Sequence, residues 1–325
     1  MKTRTMALVC GVAAVCTGVL TGAAEAPAKK IVIGLVAKSQ SNPVFQAAYA
    51  GAKDAARELG PKYGVNVEID WQTPPDEDAQ KQAEAIEQLA RGGAAGIAVS
   101  CSDANTVTPA INKAVELGAT VICFDSDAPR SKRLCYYGTD DLTCGKMVMQ
   151  ELARVMNDKG TIAILAGNQT APNLQKRTLG VIGELAKHPH MNLLDDGVFY
   201  HPETPEQAAE AVNTAQSTHP QIEGWAMIGG WPLFAKNALK WAPGTVKAVS
   251  VDALPAQLAY LSSGHVATLF AQDCYGWGYK SVELLLNAIV KREAPKQTRI
   301  IDQLTKVVRE NAEAYGKQWD KWLKK

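Results

Sequence analysis

Ile31-Val32-Ile33-Gly34-Leu35-Val36 runs almost directly into Lys38-Ser39-Gln40-Ser41-Asn42, and Pro43-Val44-Phe45-Gln46 follows. The first segment is short, apolar and β-branched, the signature of a strand buried on both faces. The polar loop that follows delivers hydrogen-bonding side chains to the start of a helix. The stretch therefore reads as strand, polar loop, helix. About 130 residues later the same layout recurs, with Ala37, Gln40, Pro43, Gln46 and Gly51 facing Ala166, Gln169, Pro172, Gln175 and Gly180 at one constant offset. This register implies two similar lobes, each offering one loop to a shared cleft.

Outward from this pair the chain alternates apolar runs with amphipathic segments. Strands are expected at 65–71, 95–99 and 120–124, with helices near 43–59, 77–91 and 104–117. The second half predicts strands near 160–165, 193–199, 224–228, 246–251 and 266–271. Helices are predicted near 172–187, 204–217 and 231–240, and the tail from Asn311 carries Tyr315, Trp319 and Trp322 at helical spacing. Near-continuous Val/Ile/Leu strands separated by single helices imply an α/β fold: two Rossmann-like lobes with parallel sheets. Ligands of such sheets bind beyond the carboxyl ends of strands.

Bulk properties narrow the function. Lys2 and Arg4, the apolar run Met6 to Leu20, and Gly22-Ala23-Ala24 form a secretory signal over 1–24. Val15 before Cys16 is bulky where a lipoprotein signal carries a small residue, so the expected product is periplasmic and soluble rather than lipid-anchored. With 34 basic and 33 acidic residues the net charge is +1, which offers nucleic acid no field. Cys101, Cys123, Cys135, Cys144 and Cys274 remain in the mature chain, an odd number without a CxxC, and argue against a disulfide framework. None of the five histidines has an i,i+4 partner, and GxSxG, P-loop and GxGxxG motifs are absent. No metal, no cofactor and no catalytic residue is expected.

The strand-end rule then selects side chains. Asp125 follows Val121-Ile122-Cys123-Phe124 and Asp252 follows Val246 to Val251, one carboxylate per lobe. A carboxylate accepts from two hydroxyls at once, although an Asp in this position also caps turns. Arg177 lies one turn into the helix after Pro172, where its guanidinium fork could serve ligand oxygens and a carboxylate such as Asp125. Asn42 and Phe45 occupy the first lobe's loop; Phe45 suits either the C–H face of a sugar or the helix core. Gln272 ends the strand before Asp273. Gly230 and Trp231 follow Trp225-Ala226-Met227-Ile228, and Trp231 offers a stacking surface or a packed helix start. Thr139 and Asp140 follow Tyr137-Gly138 as an N-cap pair or cleft residues.

Taken in order, these segments resemble the periplasmic sugar-binding proteins of the ribose-binding type, the type I substrate-binding subunits of ABC importers. The resemblance rests on Lys30 through Phe45, Gly96-Ile-Ala-Val-Ser100 with Ser102-Asp103, and Val121 through Asp125-Ser-Asp-Ala-Pro. It continues through Tyr137-Gly-Thr-Asp140, Arg177 with Gly180, Val249-Ser-Val-Asp252 and Ala267 through Gln272. It implies two lobes, 29–139 plus 273–298 and 140–272 plus 299–325, joined by a three-strand hinge that closes over one ligand. It implies contacts from Asn42, Phe45, Asp125, Arg177, Asp252 and Gln272. Ser100, Thr139, Gly230 and Trp231 complete the expected set. Ser126 stands where ribose binders carry Arg, Val44 where they carry an aromatic, Ser100 for an Asn, and Gly230-Trp231 for an Asn-Asp pair. The expected partners are a small monosaccharide or polyol and an inner-membrane ABC permease; a monomer is expected, and delivery to a membrane receptor is the alternative.

Overall fold

The computed structural model describes Met1 and residues 28–322, so the secretory signal falls almost wholly outside the described residues. The first lobe runs β1 (Lys29–Val36), α1 (Pro43–Leu59), β2 (Val65–Trp71), α2 (Ala79–Arg91), β3 (Gly96–Val99), α3 (Ala104–Glu116), β4 (Thr120–Phe124) and β5 (Tyr136–Gly138). The second runs α4 (Asp141–Val155), β6 (Gly160–Gly167), α5 (Pro172–Leu185), β7 (Met191–Tyr200), α6 (Pro205–Thr218), β8 (Gly224–Met227), β9 (Lys247–Val251), α7 (Pro255–Ser263) and β10 (Thr268–Ala271). The chain returns through α8 (Cys274–Leu286) and β11 (Arg299–Ile301), then ends with β12 (Thr305–Val307) and α9 (Ala312–Trp322). Two six-stranded sheets result, ordered β11-β5-β4-β3-β1-β2 and β12-β10-β9-β8-β6-β7. All pairs are parallel except β10 with β12. The expected α/β architecture is what the chain forms, with two mostly parallel sheets, the second closed by one antiparallel strand.

The in-register identities have physical causes. Pro43 and Pro172 both open their helices. Gln46 Nε2 donates to the carbonyl of Gln40 at 3.1 Å, and Gln175 Nε2 donates to that of Gln169 at 2.9 Å, so each glutamine closes its lobe's loop in the same way. A Cβ on Gly51 would lie 2.0 Å from the Tyr275 carbonyl oxygen, and one on Gly180 2.3 Å from that of Leu142. Glycine is thus needed where α1 meets α8 and where α5 meets α4, since any side chain would drive the backbones apart.

Three expectations are corrected. The predicted helix at 231–240 is only a 3-10 turn at Trp231–Phe234. Tyr260 Oη accepts from the Ala238 N–H, and Asn213 bonds the Ala238 carbonyl and the Lys240 N–H, so tertiary partners take the backbone groups a helix would pair. The helix expected from 77 begins at Ala79, because the Asp78 carboxylate accepts from the N–H groups of Gln80 and Lys81. The third crossing, expected after 298, lies at Asp302–Leu304, because Arg299–Ile301 pairs with β5 in the first sheet.

The sheets are covered on both faces by apolar side chains. One cluster packs Ile86, Ile97, Ile111 and Val121 in the first lobe, another packs Val148, Leu152, Ile164 and Val249 in the second. A third continues through both, from Ile33 and Trp277 to Trp225, Leu269 and Trp319. Cys101, Cys123, Cys135, Cys144 and Cys274 are buried free thiols. Among the described residues no helix is long and apolar enough to cross a membrane.

Candidate functional site

The carboxyl ends of β1, β3, β4 and β5 face those of β6, β8, β9 and β10 across a seam between the lobes. Asp125 and Asp252 stand at matching strand ends with φ of 53° and 67°. A residue leaving a strand in the left-handed region turns sharply, and Asp tolerates this better than most side chains. Both carboxylates are buried, at 4% and 5% exposure.

Around Asp125 a hydrogen-bonded chain crosses the seam. Ser100 Oγ donates to Asp125 Oδ2 at 2.6 Å, and Asn173 Nδ2, from the other lobe, donates to Oδ1 at 3.1 Å. Lys38 Nζ reaches Asn173 Oδ1 at 3.4 Å and Glu203 Oε1 at 3.0 Å. Trp231 Nε1 donates to Glu203 Oε2 at 3.3 Å. Lys38 is 2% exposed, far below the norm for lysine. Burial opposes its charge, but Glu203, Glu77 and Asp125 more than offset this and its pKa is raised.

A second network lies by the hinge. Gln272 Oε1 accepts from Thr139 Oγ1 at 2.9 Å and from Arg177 Nη2 at 2.7 Å, while Gln272 Nε2 donates to Asp252 Oδ1 at 2.8 Å. Arg177 Nε donates to Asp141 Oδ1 at 3.0 Å and Nη1 to the Ile228 carbonyl at 3.1 Å. The expected partner of Arg177 was Asp125; the structure gives it Asp141, which sits on the adjacent helix α4. Burial pushes Asp141 up to about 6 against the pull of Arg177. Burial likewise raises Asp125 and Asp252, opposed first by Lys38 and first by Arg177 respectively. Sites of this kind present acceptors and donors in a water-poor space, suited to a ligand rich in hydroxyl groups. Among the described residues no group of three or more His, Cys, Asp or Glu is placed to hold a metal.

The family profile of the periplasmic binding protein domain matches residues 33–293. The chain is a periplasmic binding protein. It belongs with the sugar-binding, ribose-type solute-binding proteins of ABC transporters, a family of substrate-binding proteins rather than enzymes. The D-ribose/D-allose-binding protein of Pseudomonas aeruginosa is 25% identical over 255 residues, 75% of this chain and 77% of that one. The solute-binding protein of Burkholderia graminis solved with D-arabinose superposes with a TM-score of 0.80 at 26% identity, covering 89% of this chain and 99% of that one. XylFII in the XylFII-LytSN complex shares the fold, with a TM-score of 0.76 at 21% identity over 86% of this chain and 98% of that one.

Within this binding protein, Ser100, Asp125, Thr139, Arg177, Gly230, Trp231, Asp252 and Gln272 all come to the seam or its supporting networks. Asn42 and Phe45 lie in the first lobe's loop and at the start of α1. Asn42 Oδ1 accepts from the Val44 N–H as the cap of α1. Phe45, 2% exposed, packs against Trp277 with ring centroids 6.2 Å apart in the first lobe's core. Sequence reading missed Lys38, Asn173, Glu203 and Asp141. Asn173 holds the register position of Val44, so a comparison of the two loops where they differ would have pointed to it. Glu203 follows β7 and was within reach of the strand-end rule.

Proposed function

We propose that this protein captures a small sugar or sugar alcohol between its lobes and delivers it to an ABC permease of the inner membrane. The observation that carries the reading is the matched pair Asp125 and Asp252, each leaving its strand with positive φ at the seam, Asp125 bonded by Asn173 of the other lobe and Asp252 by Gln272 at a crossing. Ligand hydroxyls donate to the two carboxylates. Arg177, Gln272, Ser100 and Thr139 hold those carboxylates and their neighbours in place, and Trp231 supplies an aromatic wall. A ligand touching both lobes favours the closed state by its differential contacts. The D-ribose, D-allose and D-arabinose named for the relatives set the scale of the ligand; Ser126 and the Gly230-Trp231 pair set this site apart from a ribose site. A thermal-shift screen with pentoses, hexoses, deoxy sugars and linear polyols tests the reading, since a binder raises the midpoint by mass action. One clear hit that is lost in Asp125→Asn supports it. No hit from any of these compounds overturns it.

Presentation of the sugar to a membrane receptor or histidine kinase is the other reading, favoured by the XylFII-LytSN complex on the same fold. Ligand-stimulated ATP hydrolysis by the reconstituted permease complex separates the two: stimulation supports import, and its absence with tight binding supports presentation.

A further inference from the structure

Among the described residues six acidic side chains are buried: Asp125, Asp127, Asp141, Glu151, Glu184 and Asp252. A carboxylate taken out of water is costly unless a counter-charge accompanies it, so buried ions are ordinarily paired. Four of the six obey this rule. Asp127 pairs with Arg133, Asp141 with Arg177 at 3.0 Å, Glu151 with Arg154 and Lys306 at 2.7 Å each, and Glu184 with Lys187 at 2.7 Å. Asp125 and Asp252 are the exceptions, since among the described residues neither forms a salt bridge. They are also the two strand-end carboxylates of the seam.

Their partners are neutral donors. Ser100 and Asn173 bond Asp125, and the Gln272 amide bonds Asp252. The two buried cations of the seam are already committed, Lys38 to Glu203 at 3.0 Å and Arg177 to Asp141. Each of those pairs is neutral as a unit, so Asp125 and Asp252 keep two negative charges that the protein leaves unbalanced. Burial raises the pKa of both, and the charge of Asp125 adds to the rise at Asp252, because Lys38 and Arg177 offset it only in part. Ser126, next to Asp125 and standing where ribose binders carry Arg, brings no charge. Its side chain is fully buried, and its hydroxyl has no hydrogen-bond partner among the described residues.

Ligand hydroxyls would fill the lone pairs of the two carboxylates and leave their charge in place. An ammonium brings three donors together with the counter-charge, and such charge-assisted bonds are roughly twice as strong as neutral ones. We infer that the ligand captured at Asp125 and Asp252 is an amino sugar or amino polyol, whose protonated amine supplies the positive charge that the seam lacks. This rests on the seam being a sugar site and adds the charge of the sugar it takes.

The test is calorimetric titration of the mature protein at about pH 6, below the range in which amines lose their proton. Glucosamine, galactosamine, mannosamine and 1-amino-1-deoxysorbitol are each compared with glucose, galactose, mannose or sorbitol, and the hexosamines also with their N-acetyl forms. At least one amine is expected to bind tenfold or more tightly than its neutral counterparts. That preference should shrink to less than threefold in at least one of Asp125→Asn and Asp252→Asn, each of which removes a negative charge. The wild-type comparison decides alone should a variant fail to fold. If a sugar or polyol binds but no amine exceeds its neutral counterparts, or if the preference survives in both variants, the inference is overturned and the sugar site stands. If neither these compounds nor those of the thermal-shift screen bind, the inference and the site fall together.

Discussion

The two lobes follow one strand order, β2-β1-β3-β4-β5-β11 in the first and β7-β6-β8-β9-β10-β12 in the second, and each ends its fourth strand with an aspartate of positive φ. They differ in what surrounds that frame. The first lobe caps α1 with Asn42 and follows β3 with α3. The second opens α5 at Ala171 without a side-chain cap and replaces the helix after β8 with a 3-10 turn that brings in Trp231. Backbone-level requirements are shared by both halves: helix crossings at glycine, loop closure by glutamine, and carboxylates at strand ends. Ligand-level chemistry is divided between them. Lys38 comes from one lobe and its partners Asn173 and Glu203 from the other, so neither lobe holds a finished site.

The strongest test of that shared frame is at the helix crossings. A Cβ on Gly278 would lie 1.7 Å from the Ala48 carbonyl oxygen, and one on Gly145 1.9 Å from that of Arg177. Gly278→Ala and Gly145→Ala should each cost about 3 kcal/mol, lowering Tm by on the order of 10 °C in differential scanning calorimetry. A drop of less than about 2 °C in one lobe alone would break the equivalence of the two crossings.

Next come the paired carboxylates. Asn tolerates positive φ as Asp does, so Asp125→Asn and Asp252→Asn remove charge without altering the turn. Each should weaken ligand binding by roughly ten- to a hundredfold, the value of a hydrogen bond to a charged group. A loss confined to one of them, read by titration calorimetry, would make the site one-sided.

The contact between lobes should also depend on pH. Burial and the nearby charge of Glu203 push Glu77 from its ordinary 4.5 up to about 7, against Lys38 and the Asn168 hydrogen bond. A carboxyl whose pKa is raised on closing stabilises the closed state below its ordinary value, and that contribution fades as pH rises toward the raised one. Ligand affinity should therefore fall between about pH 4.5 and 7, and Glu77→Gln should flatten the profile. An unchanged slope in the variant would assign the dependence elsewhere. The smallest effect belongs to Asn42→Ala, which removes a cap worth about 1 kcal/mol and should lower Tm by about 2–4 °C; a drop matching the glycine variants would give Asn42 a larger role than capping.

Much of the frame was legible because it depends on local rules. β-Branched runs announced β1, β4 and β9, and the residue after each run was a cleft residue or led to one. The register of Gln40, Gln46 and Gly51 with their counterparts was legible because the backbone needs those residue types. The site's completion was not, because Lys38, Asn173 and Glu203 are polar loop residues whose meaning comes only from facing one another across the seam. Phe45 was ambiguous for a similar reason: an aromatic near a helix start fits a cleft or a core, and its contact with Trp277, far away in sequence, is not written in any local pattern. The segment 231–240 failed as a helix because Tyr260 and Asn213 outcompete local propensity.

The C-terminal helix bears on the hinge. Trp319 Nε1 donates to the Ala253 carbonyl of the second lobe at 2.9 Å, while Trp322 stacks on Tyr275 of α8 in the first, 5.3 Å between centroids and 9° between planes. Tyr315, Gln318 and Trp322 border a cavity that also touches the crossings at Gln272, Asp273, Asp302 and Gln303. Leverage follows from this placement. A fastening beside the pivot has the shortest lever arm against any swing of the far edges, so α9 ties the two halves together where their separation would strain it least, as the pin of a pair of tongs does.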